Sequence, residues 1–150
     1  MNLHTLSKAA TLPVCHVFEN LNLDNGITYY VSVKAFDQAH NFSEVAGSNG
    51  VTSDQEGPVS GNVVDGLDFQ GLDWVMSSTD LQASWDDFAD PLSGIQYYEY
   101  GVGTSPGDTD TKAWTNVTLE TSVSITDLSL NHSQEYFISV RATDEVGNVG

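Results

Sequence analysis

The chain has 150 residues, with four Lys and Arg against twenty-one Asp and Glu, for a formal net charge of -17. Its basic side chains (Lys8, Lys34, Lys112 and Arg141) are too few and too scattered to line a phosphate-binding groove or to grip an anionic membrane, which disfavours nucleic acid and acidic lipid as partners. Hydrophobic residues still make up 39% of the chain, enough to build a folded acidic protein rather than a disordered acidic tail.

Taken in order, residues 1–20 are weakly patterned. Met1 to Pro13 holds no basic region followed by an apolar run, so no leader is read there. Lys8-Ala9-Ala10 is too short and uncapped for a helix. Cys15 is the single cysteine, which excludes an intrachain disulfide and a thiolate metal cluster. After Leu21-Asn22-Leu23 and the Asn25-Gly26 turn, residues 27–36 read as a strong strand of alternating character. Asp37 to Asn41 is a turn, and Ser43 to Thr52 a thin, edge-like strand interrupted by Gly47 and Gly50. Ser53 to Gly61, with Asp54, Glu56 and Gly57-Pro58, is expected to be a short domain boundary that holds its neighbours close.

A second unit then begins with Val59 to Val64 and the Asp65-Gly66 turn. Leu67 to Ser78 is expected to be an extended connection whose apolar side chains lie along the core. Leu81, Ala83 and Trp85 alternate with polar residues, which predicts a strand with Trp85 inward. A long turn over Asp86 to Gly94 leads to a strand from Ile95 to Val102, with Tyr98, Tyr100 and Val102 on one face and Tyr97 and Glu99 on the other. Gly103 to Lys112 is loop, Trp114 to Leu119 a short strand, and Ser122 to Asp127 alternates with Val123 and Ile125 inward. The last strong strand, Tyr136 to Asp144, repeats Tyr29 to Asp37 at a distance of 107 positions (29 to 136), and Leu128-Ser129-Leu130 repeats the earlier Leu-x-Leu. Short strands between Gly, Pro and Asp turns, with no helical period, predict an all-β fold.

These residues resemble fibronectin type III repeats. Leu81 to Trp85 looks like that family's second strand with its core tryptophan. Leu128-Ser129-Leu130 followed by Tyr136 to Ala142 looks like its leucine turn and penultimate strand, with Tyr136 in place of its core tyrosine. The resemblance implies an immunoglobulin-like β-sandwich in two units: residues 1–52 as the C-terminal part of one repeat, and residues 53–150 as a repeat lacking its last strand. It further implies a non-catalytic structural or adhesive spacer within a longer extracellular or cell-surface protein, with neighbouring repeats as its partners. The Leu67 to Ser78 insertion and the acidity depart from ordinary type III repeats, and there is no Arg-Gly-Asp sequence. Since the first unit supplies a last strand and the second lacks one, Ser43 to Thr52 is a candidate for strand addition onto the second unit.

Three kinds of site follow from the residues. Calcium is the candidate cofactor. Asp86, Asp87 and Asp90 share one turn, Asp144, Glu145 and Asn148 another, Asp37 and Asn41 form its earlier counterpart, and Asp54 and Glu56 sit in the linker. A hard cation needs clustered oxygens of this kind, although Asp and Asn also make turns simply by bonding their own backbone. Tyr97 and Phe137, with Tyr30 and Phe36, are expected to face outward and could bind protein or glycan, or else pack on a neighbouring unit; Trp74 and Trp114 are read as packing residues. No catalytic constellation is found: His4, His16, His40 and His132 lack metal-ligand spacing, and no glycine-rich phosphate loop follows a strand. Glycosylation sequons begin at Asn41, Asn116 and Asn131. The core markers are Trp85, Leu128 and Tyr136.

Overall fold

A computed structural model of the chain describes residues 17–150. The readings made for His4, Lys8, Cys15, His16 and their neighbours lie outside the described residues. The fold is all-β. Among the described residues, ten strands form several small antiparallel sheets: β1 (Thr28–Tyr29), β2 (Ser32–Val33), β3 (Ala46–Gly47), β4 (Val51–Thr52), β5 (Asn62–Asp65), β6 (Leu81–Asp86), β7 (Ile95–Gly103), β8 (Lys112–Asn116), β9 (Ser122–Ile125) and β10 (Phe137–Asp144).

Strands β1 to β4 are pieces of one long hairpin. Thr28 pairs with Thr52, Val33 with Ala46, and Phe36 bridges Phe42. This corrects the expectation of strand addition within the chain: among the described residues, Ala46–Gly47 and Val51–Thr52 pair with Ser32–Val33 and Thr28–Tyr29 of their own hairpin. The hairpin is open to solvent. Val31 and Val33, on the face expected to be inward, are exposed along with Tyr30 and Phe36 on the other.

Strands β5, β6 and β9 form one three-stranded sheet and β10, β7 and β8 another. Their inner faces share a core because apolar side chains recur every second residue. Leu81 and Ile125 from the first sheet meet Tyr100 and Val102 from the second, with Leu128 closing one end. Trp85 from β6, 1% exposed, sets its ring edge-on to Tyr98 of β7 at 5.9 Å, beside Ala142 of β10. Tyr136, Ile138 and Val140 pack against this core as expected.

The internal repeat extends to individual atoms. The Asp24 amide donates to Tyr29 Oη at 2.8 Å, and the Asn131 amide to Tyr136 Oη at 2.8 Å. Phe36 bridges Phe42 as Thr143 bridges Val149. The left-handed backbone positions recur in step as well: Asn20 with Asp127, Gly26 with Ser133, and His40 with Gly147.

The Leu67 to Ser78 segment departs from expectation. Its base is pinned where Ser84 Oγ donates to the Gly66 carbonyl at 3.0 Å and accepts from the Phe69 amide at 3.0 Å. Beyond that, its side chains do not lie along the core. Trp74 is 88% exposed and Met76 105%, so reading Trp74 as a packing residue is corrected. The physical reason is that the pinned base turns the chain outward through left-handed Asp68, Phe69 and Gly71, and the Val64 and Ser84 surface is already covered by the turn itself.

Candidate metal centre

Two turns and the linker meet at one end of the two-sheet core. Between β6 and β7, Asp90 Oδ1 accepts hydrogen bonds from the amides of Leu92, Ser93 and Gly94 at 2.9, 2.9 and 3.0 Å. Such a side chain folds the chain around its own carboxylate. After β10, Asp144 does the same: Oδ1 accepts from the Val146, Gly147 and Asn148 amides at 2.9, 2.6 and 2.8 Å, and Asn148 Nδ2 donates to Oδ2 at 2.8 Å. The Glu145 amide donates to the Gly94 carbonyl at 3.1 Å and joins the two turns. Asn148 Nδ2 also reaches the linker, donating to the Glu56 carbonyl at 3.3 Å and the Asp54 carbonyl at 3.5 Å.

The result is a convergence of Asp54, Asp90 and Asp144, whose carboxylates each place an oxygen within 4.8 Å of the others. Three points this close share a centre within about 2.8 Å, near the calcium–oxygen distance of about 2.3–2.6 Å. This triad could coordinate a divalent ion such as calcium. Asp144 is fully buried, at 0% exposure. Burial alone pushes its carboxyl up, but the hydrogen bonds from the Asn148 side chain and the Asn148, Val146 and Gly147 amides outweigh this and hold it below its ordinary 3.8. It is therefore anionic at neutral pH, as a metal ligand must be. Among the described residues no basic side chain offsets the three charges: Arg141 is paired with Glu99 at 2.8 Å, and Lys34 lies over the Phe42 ring.

The other expected residues are placed elsewhere. Asp86 and Asp87 stand outside the triad, with their carboxylates accepting from Asn62 Nδ2 at 3.3 and 3.1 Å. Asn148, expected as a calcium ligand, meets the site through its side-chain amide hydrogens, which bond Asp144 Oδ2 and the linker carbonyls. Asp37 and Asn41 reproduce the Asp144–Asn148 turn, with the Ala39 and Asn41 amides on Asp37 Oδ1 and Asn41 Nδ2 on Oδ2, but outside the triad. The third member, Asp54, had only its place in an acidic linker to mark it. Its partners lie 36 and 90 residues further along the sequence (positions 90 and 144), and only the pairing of strands brings them together.

Tyr97 and Phe137 do not form one patch. They lie at opposite ends of the β7–β10 ladder, Tyr97 opposite Thr143 and Phe137 opposite Gly103. Between them stand the Glu99–Arg141 ion pair and the Gly101–Ser139 pair, while Arg141 also covers the Trp114 ring at 4.4 Å. Asn41, Asn116 and Asn131 are all exposed. No helix among the described residues is long and apolar enough to cross a membrane. Compared with known proteins, the chain matches no family model and no curated protein.

Proposed function

We propose that this chain is a non-catalytic structural module built from tandem immunoglobulin-like sandwich units of the fibronectin type III kind, a spacer of an extracellular or cell-surface protein whose inter-unit junction takes a calcium ion. Residues 1–52 belong to one unit and residues 53–150 to the next, with each other and with further repeats as their partners. The observation that carries this reading is the atom-level repetition of the tyrosine and end-turn construction, the second copy of which meets the linker. A tyrosine hydroxyl bonded to backbone a few residues upstream is a feature of such sandwiches. The strand orders β5-β6-β9 and β10-β7-β8 support the same family. Three converging carboxylates with no basic partner among the described residues support calcium.

The reading is tested by calorimetric titration of the chelator-stripped chain with calcium, with thermal melting in parallel. Saturable binding with a rise in melting temperature is expected, and Asp90→Asn should abolish both. No heat and no shift would remove the metal from the account.

The exposed Trp74 and Met76 favour a second reading, a protein- or glycan-binding module, located on the loop after β5 instead of at Tyr97 and Phe137. A shift of Trp74 emission on adding glycan or protein ligands, lost in Trp74→Ala, would support it.

A further inference from the structure

We propose that the ion is a switch for the linker: calcium locks residues 53–57 onto the second unit, and its loss releases them as a hinge while the rest of the site stays in place. This rests on the calcium reading above and concerns what the ion controls.

The three ligands are held unequally. Asp90 and Asp144 sit in turns that each carry three amide bonds to one carboxylate oxygen, and the Glu145–Gly94 bond joins the turns. Asp54 has no such support. Its Oδ1 accepts one long bond from the Glu56 amide at 3.3 Å. Its Oδ2 is closed to solvent and accepts no hydrogen bond. A buried oxygen with no donor, on a carboxylate that converges with two others, is costly unless a cation supplies the missing interaction. Ser93 Oγ, inside the Asp90 turn, is likewise buried without a partner. One orphaned atom belongs to the triad and the other to the turn that carries Asp90.

The linker is bonded much better on its other side. The Gln55 amide donates to Asn25 Oδ1 at 2.8 Å, and Gln55 Nε2 donates to the Leu23 carbonyl at 2.7 Å. Toward the second unit its hydrogen bonds are the two long Asn148 bonds, with Gly57 close against the Val149 backbone, before Val59 and Ala89 exchange backbone bonds at 2.8 and 3.2 Å. Residues 53–57 therefore belong firmly to the first hairpin and conditionally to the second unit. The condition is neutralisation of Asp54 against Asp90 and Asp144. Calcium suits it because it accepts six to eight oxygens in flexible geometry, so water can complete a three-carboxylate set, whereas magnesium demands a tight octahedron.

The test is amide hydrogen exchange of the full chain, stripped with chelator, then with calcium, and then with sodium chloride at equal ionic strength, with calorimetry on the same samples. Calcium is expected to slow exchange of residues 53–57 by roughly tenfold, with β6 and β10 unchanged. Asp54→Asn, in a linker remote from the core, should lose that protection while β6 and β10 keep their exchange rates. Calcium binding without linker protection would overturn the switch and leave the metal site standing. No binding heat would overturn both. Equal protection by sodium chloride would overturn the switch by reducing it to general charge screening.

Discussion

Trp85 offers a quantitative test of how the core is built. Its ring is 1% exposed, set edge-on to Tyr98 and packed beside Ala142, yet its Nε1 is buried without a hydrogen-bond partner. Two opposing contributions therefore meet in one side chain. Trp85→Ala removes the whole ring and leaves a cavity, at a cost of about 3–5 kcal/mol. At about 2–4 °C per kcal/mol for a chain of this size, the melting temperature should fall by roughly 6–20 °C. Trp85→Phe keeps an aromatic edge for Tyr98 and deletes the unpartnered N–H. The smaller ring loses the transfer energy of the removed atoms and leaves a cavity, together about 2 kcal/mol. Removing a buried unsatisfied donor returns about 1–3 kcal/mol. The two nearly cancel, so Trp85→Phe should sit within about 1.5 kcal/mol of the parent. Urea unfolding followed by far-ultraviolet circular dichroism measures both variants. If Trp85→Phe is as damaging as Trp85→Ala, the indole N–H has a partner and the reasoning fails.

Other consequences are as direct. Tyr136→Phe deletes the bond from the Asn131 amide and should cost about 1 kcal/mol in urea unfolding, whereas Tyr29→Phe, on the open hairpin, should only speed local amide exchange at Asp24. Trp74→Ala should change stability by less than about 0.5 kcal/mol, since the ring is almost wholly exposed. Asp37 is held below its ordinary 3.8 by the Asn41 side chain and backbone, so its contribution to the hairpin turn is fully present above that value and lost as pH falls through its depressed pKa. Carboxyl chemical shifts should show Asp37 titrating below 3.8, with the Ala39 and Asn41 amides moving in step; a midpoint above 3.8 would contradict the turn geometry.

Most of the fold could be read because period-two alternation is a local signal. Leu81, Ala83 and Trp85, or Tyr98, Tyr100 and Val102, declare their inner face within five residues. The 107-residue repeat added the registration of the Tyr29 and Tyr136 segments. The candidate metal site was half legible for the opposite reason. Asp90 and Asp144 were visible as turn acids, but nothing local distinguishes them from Asp86 and Asp87, whose carboxylates turn to Asn62. Convergence with Asp54 depends on pairing between β7 and β10 and on the path of the linker, which no spacing in the sequence encodes. The Leu67 to Ser78 segment misled because apolar residues ordinarily predict burial. Here the Ser84 hydroxyl pins the base of the turn and leaves Trp74 and Met76 outside, a tertiary effect invisible to periodicity.

The central claim, that the junction is a calcium site, is met most directly by a crystal of the full chain grown with calcium and measured for anomalous scattering. The account predicts one strong peak about 2.3–2.6 Å from carboxylate oxygens of Asp54, Asp90 and Asp144. A peak elsewhere, or clear density for those three carboxylates with no peak between them at millimolar calcium, would contradict it.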